Sequence, residues 1–100
     1  MELKKTSPQD KQGAGLRLFG STSRTRILCF LYEHAGESFY QREIVFETGL
    51  SLRPAQRELS NLVELGIVEK KETKNRVYYG INIESPFFKP LGQICELVFD

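Results

Sequence analysis

The stretch TGLSLRPAQRELSNLVELGIVEKK, residues 48–71, decides how this chain is read. On a period of 3.6 residues, Leu52, Ala55, Leu59, Leu62 and Val63 share one face of a helix. Arg53, Gln56, Arg57, Ser60 and Asn61 occupy the opposite face. Ser51 is suited to cap the helix by accepting a bond from an early backbone N–H. Pro54 leaves two starting points open. With Ser51 as cap, Pro54 is the third helical residue, where its missing N–H would be unpaired anyway. Proline also disfavours helical geometry at the residue before it, so the helix can instead begin at Pro54 with Arg53 as its cap. The helix runs to about Leu65 and stops at Gly66.

Upstream, Gln41 to Thr48 reads as a short helix burying Ile44, Val45 and Phe46. Gly49, Leu50 and Ser51 form the turn between the two, and this pairing is the sequence form of a helix-turn-helix. An earlier helix starts at Ser21 or Ser23 and buries Ile27, Leu28 and Leu31, with Arg24 and Arg26 outside the stripe. His34-Ala35-Gly36 ends it, and a cation at His34 suits the helix dipole there. Ser38-Phe39-Tyr40 is long enough only for an edge strand.

Downstream, Ile67–Lys71 and Arg76–Ile81 are rich in branched and aromatic residues, and the polar segment between them includes Asn75, a residue suited to a tight turn. This is a β-hairpin. Lys70, Lys71, Lys74 and Arg76 against Glu69 and Glu72 leave an excess of two positive charges near its tip. Tyr78 and Tyr79 alternate across the second strand, so one packs inward and the other faces out. Ser85-Pro86 opens a last segment in which Leu91, Ile94, Cys95, Leu97 and Val98 form a broad apolar face on a helix, with Pro90 in its first turn. Phe87, Phe88, Leu91, Ile94 and Val98 exceed what one small core needs and are assigned to a dimer interface. Folding of that helix onto its own core is the alternative.

The 100 residues suit one domain with little stability to spare. The order of elements divides them into a mobile tail over 1–15, a helix-rich domain with a hairpin over 16–84, and a C-terminal helix over 85–100. The tail follows from a composition with almost nothing apolar to repay its ordering entropy. A formal charge of +1 and a pI of about 7.8 mean that any basic surface must be local. No apolar run has the length to span a bilayer and the N-terminus lacks the apolar core of a signal peptide, so a cytoplasmic protein is expected. Cys29 and Cys95 are then expected as reduced, buried thiols; if the last helix packs on the first, they approach each other. No cofactor, metal site or catalytic constellation is expected from the spacing of Cys, His, Ser and carboxylate residues.

The polar face of the 52–65 helix carries the chemistry of base recognition. Arg bonds bidentately to guanine in the major groove and Gln to adenine, while Ser and Asn reach phosphates or bases. A solvated helix face has the same composition, and the hairpin weighs against that bland account. A basic hairpin following a helix-turn-helix is the layout of a winged helix. The fold class expected is α+β, mainly α: a winged helix-turn-helix of three core helices and a wing at about 68–82, with an additional C-terminal helix.

The segments LFGSTSRTRIL, FYQREI, TGLS, QREL, LGIVEKK and RVYYGIN, in this order over residues 18–84, resemble the ArsR-like winged helix-turn-helix transcriptional regulators. The nearest subgroup is the bacterial and archaeal one often found beside, or fused to, nucleotidyltransferase domains. The resemblance implies a homodimeric regulator on double-stranded DNA, with base contacts from Arg53, Gln56, Arg57 and Ser60. Backbone contacts are expected from Gln41, Arg42, Ser51, Asn61, Lys74, Asn75 and Arg76. The metal-sensing members carry a Cys-x-Cys motif on the helix before the recognition helix; QREIVFET has no cysteine there. A protein partner such as a nucleotidyltransferase is the alternative to DNA.

Overall fold

The computed structural model describes residues 9–99, and the first eight positions of the expected tail lie outside that range. The described chain is mainly helical. After a 3-10 turn, Lys11–Gly13, come α1 (Ala14–Phe19), α2 (Thr22–Glu33), α3 (Gln41–Thr48) and α4 (Leu52–Glu64). The antiparallel strands β1 (Val68–Thr73) and β2 (Arg76–Ile81) follow, and α5 (Phe88–Val98) ends the fold.

Order begins earlier than composition implied. The Asp10 carboxylate accepts the backbone N–H groups of Gly15 and Leu16, two of the donors a helix start leaves unpaired. Asp10 also pairs in an isolated antiparallel bridge with Phe99, at the other end of the chain. A Cβ on Gly15 would stand 2.7 Å from Phe99 Cε1, so that close approach requires glycine. Residues 10–15 are therefore held by the local Asp10 carboxylate and by the Asp10–Phe99 bridge, 89 positions away in sequence, with no local apolar pattern required.

α2 is the central element, packing against α1, α3, α4 and α5. Ser21 is its cap, with the side chain accepting Arg24 N–H at 3.1 Å. Ile27, Leu28, Phe30 and Leu31 are buried and meet Ile44 of α3, Ala55, Leu59 and Leu62 of α4, and Val68 and Ile81 of the hairpin. His34 ends the helix, buried against Phe30 and Phe39, with Nδ1 3.6 Å from a Glu37 carboxylate oxygen.

α3 buries Ile44 and Thr48, while Val45 is only half-buried and Phe46 stands 73% exposed, against the expectation of burial. Gly49 then takes φ 71°, the left-handed conformation that closes the helix and turns the chain toward α4. Ser51 is the cap of α4 by backbone conformation, and Pro54 is accordingly its third residue. The Ser51 side chain makes no cap bond, which corrects one expectation. Leu52 corrects another: it is 52% exposed, because the first helical residue lies before the helix reaches the core.

The hairpin register runs from Val68↔Ile81 to Thr73↔Arg76, so only Lys74 and Asn75 form the turn. Phe39 adds a one-residue bridge on the free side of β2, with both Phe39–Tyr79 backbone bonds at 2.8 Å. This fixes the faces. Tyr79 and Phe39 pack on the core, while Tyr78 and Tyr40 stack on each other, with ring centroids 4.8 Å apart. Gly80 lies on that second face, where a Cβ would be 2.7 Å from the Glu37 carbonyl oxygen.

α5 folds back onto its own chain. Phe88 stacks on Tyr32 at 5.5 Å, and the Tyr32 hydroxyl donates to the Phe88 carbonyl at 3.1 Å. No helix among the described residues is long and apolar enough to cross a membrane.

Candidate nucleic-acid interface

The polar residues of α4 separate into two groups. Glu58 is 7% exposed, on the same face as Ala55, Leu59 and Leu62. Its carboxylate accepts Arg24 Nε at 2.8 Å and Arg24 Nη2 at 3.3 Å, and Asn61 Nδ2 donates to it at 3.1 Å. Arg24 also donates to the Phe19 carbonyl at 3.3 Å, tying the end of α1 to α2 and α4. The Glu58 hydrogen bond raises the pKa of the Arg24 guanidinium, and burial opposes it. Arg24 thus has an inward role that its place outside the apolar stripe did not suggest. Asn61, expected at a DNA phosphate, is half-buried and committed to Glu58.

Arg53, Gln56, Arg57 and Ser60 form the second group. All four are exposed, and none makes a side-chain hydrogen bond or ion pair among the described residues. Arg53 and Arg57 lie one turn apart and supply two guanidiniums to a face from which Glu58 is turned away. Such a surface offers bidentate donors to an anion or a base edge.

A second cluster joins the start of α3 to the hairpin. The Arg42 guanidinium lies 4.6 Å from the centroid of the Tyr40 ring. Arg76 Nη1 donates to the Tyr40 hydroxyl at 2.8 Å, and the Tyr40 and Tyr78 hydroxyls are 3.2 Å apart. Hydrogen bonds from Tyr40 and Arg76 pull the Tyr78 phenol below its ordinary value, and the phenols raise Arg76 in turn, Tyr78 most. Tyr40, Arg42, Asn75, Arg76 and Val77 line an open cleft of about 370 Å³. The Glu43 carboxylate is occupied at the backbone N–H of Tyr40, at 2.8 Å. Of the remaining expected backbone contacts, Lys74 and Asn75 form the exposed hairpin turn, Ser51 is exposed, and Gln41 is half-buried at the first position of α3.

Sequence reading missed Glu58 and Tyr40 as members of these sites, and it left open which of Tyr78 and Tyr79 faces out; the outer one is Tyr78. A carboxylate in phase with Ala55 and Leu62 was a visible signal for Glu58, since a buried charge requires a partner. Tyr40 and Tyr78 gave no such signal, because their pairing depends on the Phe39 bridge.

The apolar residues assigned to a dimer interface divide too. Phe88, Leu91 and Val98 pack against the chain's own core, Ile94 is half-buried and Phe87 is 45% exposed. Cys29 and Cys95 meet in a buried cluster with Phe99. Burial pushes both thiols up to about 12. A thiol held protonated this firmly is a poor nucleophile, and small-residue packing accounts for the pair. No group of three or more metal-ligating side chains occurs among the described residues.

Comparison with protein-family models, with curated proteins and with solved structures gives no match to this chain.

Proposed function

We propose that this protein is a winged helix-turn-helix regulator of the ArsR-like kind, which binds double-stranded DNA in the cytoplasm as a homodimer. α4 enters the major groove, and the β1–β2 hairpin is the wing on the sugar-phosphate backbone. One observation carries the reading. Arg53, Gln56, Arg57 and Ser60 stand exposed on one helix with no intramolecular partner among the described residues, while Asn61 and the inward-facing Glu58 are held inside the fold and Glu64, exposed in the last turn, is the one carboxylate on the outer side of the helix. Docking of a protein partner on α4 would be favoured by an occluded or acidic face, and this set is neither.

The test is binding of a fluorescent duplex carrying the upstream region of its own gene against a scrambled duplex, across a salt series. The expected result is a preference of about a thousandfold with a steep salt slope. Equal and feeble binding to both would refute sequence-specific recognition. Light scattering of the free protein and of the complex reads the proposed dimer, and a monomer on DNA would remove it.

A further inference from the structure

We propose that the cleft between the start of α3 and the hairpin clamps a single backbone phosphate of the bound duplex jointly between Arg42 and Arg76, with Tyr40 and Tyr78 as the residues that position them. The inference rests on the DNA-binding reading and assigns a role to two residues outside it.

Three observations support the clamp. The two guanidiniums come from different elements and meet at one aromatic side chain. Arg42 lies over the Tyr40 ring at 4.6 Å, and Arg76 donates to the Tyr40 hydroxyl at 2.8 Å. Stacked aromatic rings and a phenolic acceptor restrict long, rotamer-rich side chains that would otherwise lose their freedom on binding. Secondly, neither guanidinium forms an ion pair with a carboxylate among the described residues. Glu43, in the same first turn of α3 as Arg42, accepts the Tyr40 backbone N–H, though its charge still reaches Tyr78. Arginine offers five donors in a planar fork, so Arg76 keeps donors for an anion after serving Tyr40. Thirdly, the cleft is open and about 370 Å³, lined also by Asn75 and Val77 of the hairpin turn.

A phosphodiester is the ligand class this chemistry selects. A tetrahedral anion accepts from two forks at once, whereas a base edge presents a single planar pattern to one. Because the contact is to the backbone, its effect is independent of base sequence. Tyr40 acts only through Arg76 and Arg42. Its hydroxyl therefore matters when Arg76 is present and not otherwise.

The experiment is fluorescence anisotropy with a labelled mixed-sequence duplex of about three helical turns, across a salt series, on wild type, Arg42→Gln, Arg76→Gln, Tyr40→Phe and the Tyr40→Phe/Arg76→Gln double variant. Far-UV circular dichroism verifies that each variant is folded. Each arginine variant should flatten the slope of log K against log salt by about 0.9. Tyr40→Phe keeps the ring stack and should weaken binding about threefold, while adding nothing in the Arg76→Gln background. Arg53→Ala serves as the comparison from the α4 face. Wild-type binding with unaltered Tyr40→Phe and arginine variants overturns the clamp alone. An additive double variant overturns the positioning role of Tyr40. Failure of the wild type to bind any duplex at low salt overturns both the clamp and the reading it rests on. Competition by inorganic phosphate at millimolar concentration, with no duplex-dependent slope change, would assign the cleft to the free ion instead.

Discussion

Replacing Arg24 with methionine keeps the aliphatic stem and deletes the guanidinium that holds Glu58. The carboxylate is 7% exposed and would retain only the Asn61 amide, at 3.1 Å. Breaking a buried pair from one side costs about 3–5 kcal/mol, because an uncompensated charge is left behind. Here the Arg24 side chain is 36% exposed, so water reaches the vacated volume and screens the charge. The expected cost is then about 2–3 kcal/mol. Glu58→Met is the opposite case. The stranded guanidinium swings toward solvent, and the loss is about 1 kcal/mol. The double variant removes both charges and should return to within about 1 kcal/mol of wild type. Urea unfolding followed by circular dichroism measures all four proteins. With a slope of about 1.5 kcal/mol/M, Arg24→Met should lower the midpoint by about 1.3–2 M. Equal losses in the two single variants, summing in the double, would mean that Glu58 is no buried charge held by Arg24.

Other outcomes follow from the packing and the titrations. Gly80→Ala places a methyl 2.7 Å from the Glu37 carbonyl oxygen and should cost about 1–3 kcal/mol by urea unfolding, where a neutral result would show that the Phe39 segment yields freely. Tyr32→Phe leaves the Phe88 carbonyl without its 3.1 Å donor and should cost about 1 kcal/mol, and an unchanged midpoint would show that α5 is not anchored there. The raised thiols of Cys29 and Cys95 give a pH dependence of definite sign. Below the ordinary value of 9.0 both folded and unfolded chains keep these protons; above it the unfolded chain releases them while the folded chain holds them to about 12. Stability is therefore complete below pH 9.0 and falls as pH rises from there to about 12, with Tyr32, also raised to about 12 by burial, adding to the fall from 10.0. Unfolding midpoints at neutral pH and at about pH 10.5 read this, and an unchanged midpoint would contradict it. A disulfide reagent at neutral pH should modify both thiols at least about tenfold more slowly in the folded protein than in urea.

The interior was legible where one helix period determines it. Ala55, Leu59 and Leu62 repeat at helical spacing and are buried, and Ile27, Leu28 and Leu31 do the same on α2. The reading failed where tertiary contacts decide. Leu52 is in phase with the core yet lies at the first position of α4, outside the reach of α2. α1 is six residues between Gly13 and Gly20, too short to persist alone, and it depends on Asp10 and on Phe99. The polar side of α4 was legible as a set, but its division between Glu58–Asn61 and Arg53–Gln56–Arg57–Ser60 required knowing that Arg24 arrives from 34 residues away. The α5 segment was recognised as apolar; Tyr32 draws Phe88 onto the chain's own core by both stacking and a hydrogen bond, while Phe87 and Leu97 remain exposed.

That division within α4 bears on function. Stability accounts for the inner polar residues: Glu58 and Asn61 secure the helix to α2 through Arg24, and no solvent-facing duty is required of them. It does not account for the outer ones, since an exposed helix face gains a few tenths of a kcal/mol from i,i+4 pairs of opposite charge. Arg53 and Arg57 stand one turn apart with like charge, the arrangement such pairing disfavours. Like charge held together at a small cost in stability is what an anionic partner would repay. The Arg42–Tyr40–Arg76 cluster has the same character, with two guanidiniums brought to one ring and no carboxylate paired with either among the described residues. Of the carboxylates on these elements, Glu58 is turned inside to Arg24 and Glu43 accepts the Tyr40 backbone N–H. A near-neutral total of this kind is compatible with a local basic surface, since the field at a face depends on the charges on that face.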